Sequence, residues 1–174
     1  MKNRHTQGFT VLELIIVVTI MALAAAVAIP SINSYLVTYN LKASARNLAG
    51  TFQKARSEAL ANRTDCTISF NSSVDGTNYD FIVYLDNGTK NWKYDSGETL
   101  ITTANLSHDS SIAFTTSGIS FPTNDAGKPS VAFNSRGMPR TKDGSMGGGS
   151  VAIKNSKGTI HTVVLTPLGG VKVN

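Results

Sequence analysis

The hydrophobic pattern begins with an unbroken apolar run from Phe9 to Ile29, which holds one charged residue, Glu13, and no proline or glycine. As a helix rising about 1.5 Å per residue, this run is long enough to cross a hydrocarbon core roughly 30 Å thick. Lys2 and Arg4 precede it, and basic residues on that side favour a cytoplasmic N-terminus. The pattern therefore predicts a single membrane-spanning helix with the remaining chain on the far side of the membrane.

Beyond Pro30 the apolar pattern changes to a helical period that continues to about Asn62, with intervals mostly of three or four residues. Such spacing places the apolar residues on one face of an amphipathic helix, and that face needs a cover. The stripe consists of Ile32, Tyr35, Leu36, Tyr39, Ala43, Ala45, Leu48, Ala49, Phe52, Ala55, Ala59 and Leu60.

The rest of the chain alternates in the manner of β-strands, with turn signals such as Lys157-Gly158 and Gly169-Gly170 between the runs. The glycine-rich stretch 139–149 reads as a flexible loop with little packing. The predicted strands are 66–70, 79–85, 100–106, 111–114, 118–121, 130–133, 150–154, 159–165 and 171–173. A sheet with one apolar face, packed over the stripe from Ile32 to Leu60, is the economical arrangement. The predicted fold class is therefore α+β, with a long N-terminal helix and an antiparallel β-sheet head.

These patterns divide the sequence into four parts. We expect a leader at residues 1–8, a transmembrane segment at 9–30, an amphipathic helix at 31–63 and a β-rich globular head at 64–174.

Composition supports a folded protein, because 41% of the residues are hydrophobic and only 16% are charged. The formal net charge of +5 is unevenly spread, since residues 64–121 carry an excess of acids and residues 122–174 an excess of bases. The single cysteine, Cys66, excludes an intrachain disulfide and a zinc site built from several cysteines. We expect it to be a small buried residue near the start of a strand.

Glu13 is the residue that the membrane pattern leaves unexplained, because a carboxylate in an apolar run costs a few kcal/mol. An ordinary secretory signal, cleaved after Ala24 or Ala26, would release a soluble β domain but give Glu13 no role. Alternatively, the carboxylate reaches towards lipid headgroups near the helix end. A third reading follows from the residues around it.

The stretch Gly8-Phe9-Thr10-Val11-Leu12-Glu13 resembles the processing site of type IV prepilins. This resemblance implies that a prepilin peptidase cuts between Gly8 and Phe9 and methylates the new amine of Phe9. It also implies that Glu13 pairs with the N-terminal amine of a neighbouring subunit during assembly, since an opposite charge in a low dielectric keeps a carboxylate ionised. Pro30 stands where such chains commonly bend their helix.

The later sequence is similar to the GspH/FimT type of minor pilins and pseudopilins, as in Phe81-Ile82-Val83-Tyr84-Leu85-Asp86 and Val131-Ala132-Phe133-Asn134-Ser135-Arg136-Gly137. This resemblance implies a head of two antiparallel sheets and a structural role in the priming or tip complex of a type IV pilus or a type II secretion pseudopilus. The implied location is the bacterial inner membrane, crossed once, with the head in the periplasm. The implied partners are the prepilin peptidase, other minor subunits, the major subunit and the inner-membrane assembly platform.

Some FimT-like minor pilins resemble DNA receptors for natural transformation and carry a Gly-Arg-x-Arg motif near the C-terminus. The corresponding place here reads Gly169-Gly170-Val171-Lys172, so one arginine is missing and lysine replaces the other. Lysine lacks the bidentate guanidinium fork that suits a phosphate. The candidate DNA contacts of this alternative function are Arg136, Arg140, Lys142 and Lys172.

No pattern in the sequence points to catalysis, and we expect neither an enzyme nor a cofactor. His108 and His161 have no recognisable nucleophile beside them, and His5 would be lost with the leader. Carboxylates surround Trp92 at Asp86, Asp95 and Glu98, but their spacing is not that of an EF-hand. We therefore expect no metal site.

Overall fold

The computed structural model describes residues 9–88, 91–106 and 111–174, except for the side chains of Pro30 and Ser31. The chain divides into two compact units, one that ends at Leu36 and one that spans Val37–Asn174. The elements in chain order are α1 (Val11–Asn62), β1 (Asp65–Val74), β2 (Thr77–Asp86), β3 (Thr99–Ala104), β4 (Ile112–Ile119), β5 (Ser130–Phe133), β6 (Pro139–Arg140), β7 (Gly149–Asn155), β8 (Ile160–Leu165) and β9 (Val171–Val173).

The strands form two antiparallel sheets, as the resemblance implied. One has five strands in the order β3-β2-β1-β5-β6, and the other has four in the order β4-β7-β8-β9. In the first sheet β1 pairs with β2 and β5, so that Ser69 lies opposite both Ile82 and Ser130. Since side chains alternate between the two faces of a strand, Cys66, Ile68 and Phe70 share the other face of β1.

The main core lies between the second half of α1 and the two sheets. Six positions of α1 are completely buried, at intervals of three or four residues: Leu41, Ala45, Leu48, Phe52, Ala55 and Ala59. The ring of Phe52 lies 5.9 Å from that of Phe121, which stacks on Phe70 at 5.8 Å. The predicted combination of a long helix with an antiparallel β head is therefore confirmed.

The predicted extent of the covered stripe is wrong at both ends. Ile32, Tyr35, Leu36 and Tyr39 are exposed, and so is Leu60. The buried face begins instead at Leu41, which the sequence reading left out of the stripe. Apolar periodicity marks a face of a helix, but it does not show where the covering sheets begin and end.

Seven of the predicted strands overlap a strand of their own, whereas 111–114 and 118–121 belong largely to one strand, β4. Ser117, with a positive φ of 59°, and Gly118 form an irregular segment in its pairing with β7. A methyl group on Gly118 would lie 2.8 Å from the carbonyl oxygen of Ala152. Glycine at this position lets β4 pack closely against β7 and continue to Ile119.

The prediction of an unpacked loop at 139–149 is wrong at both ends, although residues 142–146 between them are exposed. Pro139 and Arg140 form β6 beside β5, and the Gly147 amide donates a hydrogen bond to the Pro139 carbonyl at 2.9 Å. A methyl group on Gly147 would lie 2.7 Å from the backbone nitrogen of Arg140. Glycine here permits close backbone approach rather than flexibility.

Cys66 lies in the core with no exposed surface, so the prediction of a buried cysteine is confirmed. Its position on the inner face of β1 explains this burial, because Cys66 stands opposite Leu85 and Phe133, two further core residues.

Candidate functional site

The N-terminal part of α1 presents an apolar surface on every side. All of its large apolar side chains from Val11 to Leu36 are exposed, including Leu14, Ile16 and Val18. Within the described residues, α1 is the only helix long and apolar enough to cross a membrane. The Thr19 hydroxyl donates a hydrogen bond to the Ile15 carbonyl at 2.8 Å. This bond satisfies the hydroxyl within its own helix, so it needs no partner from the surroundings.

Thr10 and Glu13 together begin this helix. The Glu13 amide donates a hydrogen bond to Oγ1 of Thr10 at 3.2 Å, and the Leu14 amide donates to the Thr10 carbonyl at 3.2 Å. Thr10 is therefore the N-cap residue and Glu13 stands three positions later, as in the Thr-x-x-Glu capping box. The Thr-x-x-Glu spacing of this signal is present in the sequence, but it was not among the predicted features.

Two sources of positive charge can stabilise the carboxylate of Glu13. The first is the positive end of its own helix dipole, which favours an acid in the first turn by about 0.3–1 kcal/mol. The second is a cation from outside, because α1 contains no basic residue before Lys42. The dipole alone offsets only part of the few kcal/mol that a carboxylate costs in an apolar environment.

Among the predicted processing and assembly residues, the structure describes Phe9 and the backbone of Pro30 but not Gly8. Gly8, the residue before the expected cleavage site, lies outside the described residues, and Phe9 is exposed. The backbone of Pro30 belongs to α1, and the bend expected there stays a prediction.

The candidate DNA contacts lie on different parts of the head. Arg136 is exposed in the turn between β5 and β6, Arg140 is half-buried in β6, and Lys172 is exposed in β9. Lys142 forms an ion pair with Asp125, which partly neutralises it. The sequence could not show this pairing, because the two residues are 17 positions apart.

Arg56 of α1 lies where two turns of the head meet. A methyl group on Gly137 would lie 3.1 Å from Nε of Arg56, and one on Gly169 would lie 3.4 Å from Nη1. Both glycines have positive φ, at 71° and 84°. The turn that carries Arg136 therefore adjoins the start of the segment 169–172, with the Arg56 guanidinium beside both.

The acidic loop around Trp92 is organised by hydrogen bonds within the protein. Buried Asp86 accepts a hydrogen bond from the Trp92 amide at 3.1 Å, and Glu98 accepts one from the Asp95 amide at 3.0 Å. Burial raises the pKa of Glu98 to about 7, and the Asp86 carboxylate adds to this rise. Across residues 9–88, 91–106 and 111–174 no group of three or more metal-binding side chains occurs.

The histidines give no sign of a catalytic arrangement in the described part of the chain. Nδ1 of His161 lies 3.0 Å from the backbone oxygen of Asn174, a contact between β8 and the C-terminus. His108 and His5 fall outside the described residues.

Two family models match different parts of the sequence. A family model described as type II transport protein GspH matches residues 44–169, and a model of the prokaryotic N-terminal methylation motif matches residues 3–29. No curated protein matches the chain.

Two solved structures are similar to this chain. The minor pseudopilin EpsH from the type 2 secretion system of Vibrio cholerae is 16% identical with a TM-score of 0.45, over 78% of this chain and 96% of that one. The type IV minor pilin FimU of Pseudomonas aeruginosa is 13% identical with a TM-score of 0.45, over 79% of this chain and 90% of that one. Because these values are low, the assignment rests on the two sequence models.

The methylation motif implies processing by a prepilin peptidase, and the family implies assembly with other pilins or pseudopilins. The family consists of structural pilins and pseudopilins. The GspH model covers more than two thirds of the sequence, and the chain therefore belongs to the GspH family of type II transport proteins.

Proposed function

We propose that the protein is a minor pilin or pseudopilin in the priming or tip complex of a type IV pilus or a type II secretion pseudopilus. The carrying observation is a membrane-length helix, apolar on every side and holding one acid, that continues into a packed β head. Before assembly this helix holds the protein in the inner membrane with its head in the periplasm. The assembly platform then moves it into the filament, where neighbouring helices replace lipid around the apolar surface.

In this proposal Glu13 sets the register between subunits. Cleavage after Gly8 creates a cation at Phe9, since an α-amine has a pKa near 8. Pairing of the carboxylate with the Phe9 amine of a neighbour offsets the cost of burying both charges, whereas a misaligned subunit leaves both unpaired. Pairing thus favours one axial position of each helix.

Two substitutions separate this role of Glu13 from its role at the helix start. Glu13→Gln removes the charge, but glutamine can still form a capping box. Thr10→Ala removes the cap at a cost of about 1 kcal/mol and keeps the charge. We expect both variants to be cleaved and inserted, and only Glu13→Gln to be lost from filaments, as measured by immunoblotting of sheared or purified filaments. Normal incorporation of Glu13→Gln, or equal loss of both variants, would contradict the pairing role.

Mass spectrometry of the native protein tests the processing step. We expect a mature chain that begins with N-methylated Phe9. A chain that begins after Ala24 or Ala26 would instead identify an exported soluble domain. Identification of the minor subunits that co-purify with the protein then distinguishes a pilus from a secretion pseudopilus.

DNA binding is a second candidate function, favoured by the junction at Arg56. There the turn of Arg136 adjoins the segment 169–172, so Arg56, Arg136 and Lys172 can contribute to one basic surface. In this candidate, non-specific contacts to phosphates supply the affinity.

A double substitution tests the second candidate. In the full chain in detergent, Arg136→Ala with Lys172→Ala should weaken binding of a labelled duplex at about 50 mM salt. It should also reduce the salt slope by about 2, one for each lost phosphate contact. Lys154→Ala with Lys157→Ala removes the same charge from the β7–β8 hairpin and should change binding less. Equal loss in the two double variants, or no binding by the native chain, would exclude this function.

A further inference from the structure

A polar pocket of about 120 Å³ opens on the face of the five-stranded sheet that lies away from α1. Its floor is formed by Ser69, Ser72 and Ile82, and its walls come from the loop after β2 and the loop before β5. Ser69 and Ser72 are almost completely buried, with their hydroxyl oxygens 2.8 Å apart. Neither the family nor the proposed assembly mechanism assigns a role to this pocket.

Asn124 holds the pocket in its open shape. Its side-chain amide donates hydrogen bonds to Ser69 Oγ at 3.2 Å and to the Trp92 carbonyl at 2.5 Å. Its side-chain oxygen accepts hydrogen bonds from the amides of Ala126 and Lys128, both at 3.0 Å. One buried side chain thus connects the sheet with both loops, so a ligand would find the walls already in place.

The aromatic wall is also fixed. Tyr94 packs edge-on against the completely buried Tyr84, with ring centroids 5.5 Å apart. Together with Ile82, the Tyr94 ring gives the pocket apolar surface that suits the methylene groups of a ligand.

The charged side chains that line the pocket are positive, although Lys93 and Tyr94 belong to the acidic loop around Trp92. Lys93 and Lys128 are the charged residues that line it, and Lys93 is already paired with Asp95 at 2.9 Å. Asp125, next along the chain to the lining residue Ala126, pairs with Lys142. Within the ranges that the structure describes, Lys128 forms no ion pair, so one lining ammonium has no carboxylate in direct contact.

An unused hydrogen-bonding group lies beside the floor. Ser130 stands directly opposite Ser69 in the pairing of β1 with β5, and is 1% exposed. In the described part of the protein its hydroxyl has no hydrogen-bond partner. A buried polar group without a partner costs about 1–3 kcal/mol, but Ser130 does not line the pocket, so its hydroxyl is not assigned to the ligand.

We propose that this pocket binds a carboxylate, supplied by an acidic side chain of a neighbouring protein subunit. One uncompensated ammonium matches the single charge of a carboxylate better than the charge of a phosphate ester, which approaches two. The apolar wall accommodates the methylenes of a glutamate. That the carboxylate comes from a neighbouring subunit rests on the proposed function, whereas carboxylate binding itself does not.

Trp92, the only tryptophan of the chain, provides the readout because Asn124 binds its carbonyl. The full chain in detergent is titrated with N-acetyl-Gly-Glu-Gly amide, or with the glutamine peptide of the same shape. We expect a saturable change in Trp92 fluorescence with the glutamate peptide and at least about tenfold weaker binding of the glutamine peptide. Lys128→Gln should weaken glutamate binding by a similar factor, while Lys154→Gln, at an exposed site in the other sheet, should not.

Equal responses to the two peptides, or unchanged binding by Lys128→Gln, would overturn the proposal. Tighter binding of N-acetyl-triglycine with a free C-terminus would overturn the assignment to a side chain in favour of a chain end. Circular dichroism confirms that each variant is folded. The assembly assay of Glu13→Gln is independent of this titration, so failure of the proposed function and failure of this inference are distinguishable.

Discussion

From Val11 to Leu36, α1 exposes every large apolar side chain, whereas from Leu41 to Ala59 the same helix buries six positions completely. The two parts differ in the residues on the side of the helix opposite the apolar side chains. In the second part Lys42, Arg46 and Gln53 occupy exposed positions, so one side of the helix can face water and the other can join a core. In the first part, as far as Ile29, apolar side chains lie on every side of the helix, so packing against a single sheet would leave many of them uncovered.

This comparison separates two uses of the same hydrophobic effect. Each large side chain that leaves water contributes about 1.5–3 kcal/mol. In the second part of α1 that free energy stabilises the head within one chain. In the first part the side chains stay exposed, so that free energy is gained only where an apolar environment outside the chain covers them.

The largest expected effect comes from truncating the central aromatic residue of the buried part. Phe52→Ala removes the ring that contacts Phe70 and Phe121, and should lower the free energy of unfolding by about 3–5 kcal/mol. Urea unfolding of the full chain in detergent, followed by Trp92 fluorescence, measures the change. The matched variant Ile16→Ala, in the exposed part, should leave head stability unchanged. Similar losses in both variants would remove the distinction between the two parts.

Enlarging a small residue should give the next largest effect. Ala55 is completely buried, so Ala55→Leu should cost about 1–3 kcal/mol by overpacking the core. Ala25 is exposed, and Ala25→Leu should unfold at the same urea concentration as the native chain. A stable Ala55→Leu variant would show that the helix can move away from the sheets.

A stabilising substitution sharpens the description of the water-facing side. A methyl group on Gly50 would meet no atom within 4 Å. Gly50→Ala should therefore raise the free energy of unfolding by about 0.5–1 kcal/mol, through helix propensity alone. Destabilisation in the same urea assay would show that this side of α1 has a contact that needs glycine.

The last prediction concerns pH, to which the head should respond through Glu98. Its folded-state pKa is raised from 4.5 to about 7, so the folded protein binds more protons than the unfolded chain between these values. The contribution of Glu98 to stability should accordingly fall as pH rises from about 5 to 7. The difference in urea midpoint between the native chain and Glu98→Gln, measured across this range, should follow that fall. A difference independent of pH would contradict the raised pKa.

The sequence predicted the elements whose signal is repeated many times. Alternation located the strands, and the helical period located Ala45, Leu48 and Phe52 in the core. The same period failed at Tyr39 and Leu60, because apolar residues look alike whether or not a sheet lies over them. Only the paired strands determine the ends of the covered face.

Single-residue devices were harder to predict. Gly147 reads as a flexible residue, but its hydrogen atom makes room for the backbone of Arg140. The Lys142–Asp125 pair and the pocket around Asn124 join segments far apart in sequence, so no local sequence pattern predicts them. The cap at Thr10 differs, since its Thr-x-x-Glu spacing was readable. Glu13 thus combines an exceptional position in an apolar run with an ordinary role in the first turn of the helix.

The buried cysteine has a practical consequence. Desolvation raises the pKa of the Cys66 thiol to about 12, and a thiol reacts mainly as its thiolate. At neutral pH the native chain therefore gives almost no background with maleimides, although it contains a cysteine. A second cysteine at an exposed position such as Ser156 would carry a fluorophore, a spin label or an intersubunit crosslink alone, with no need to replace the first.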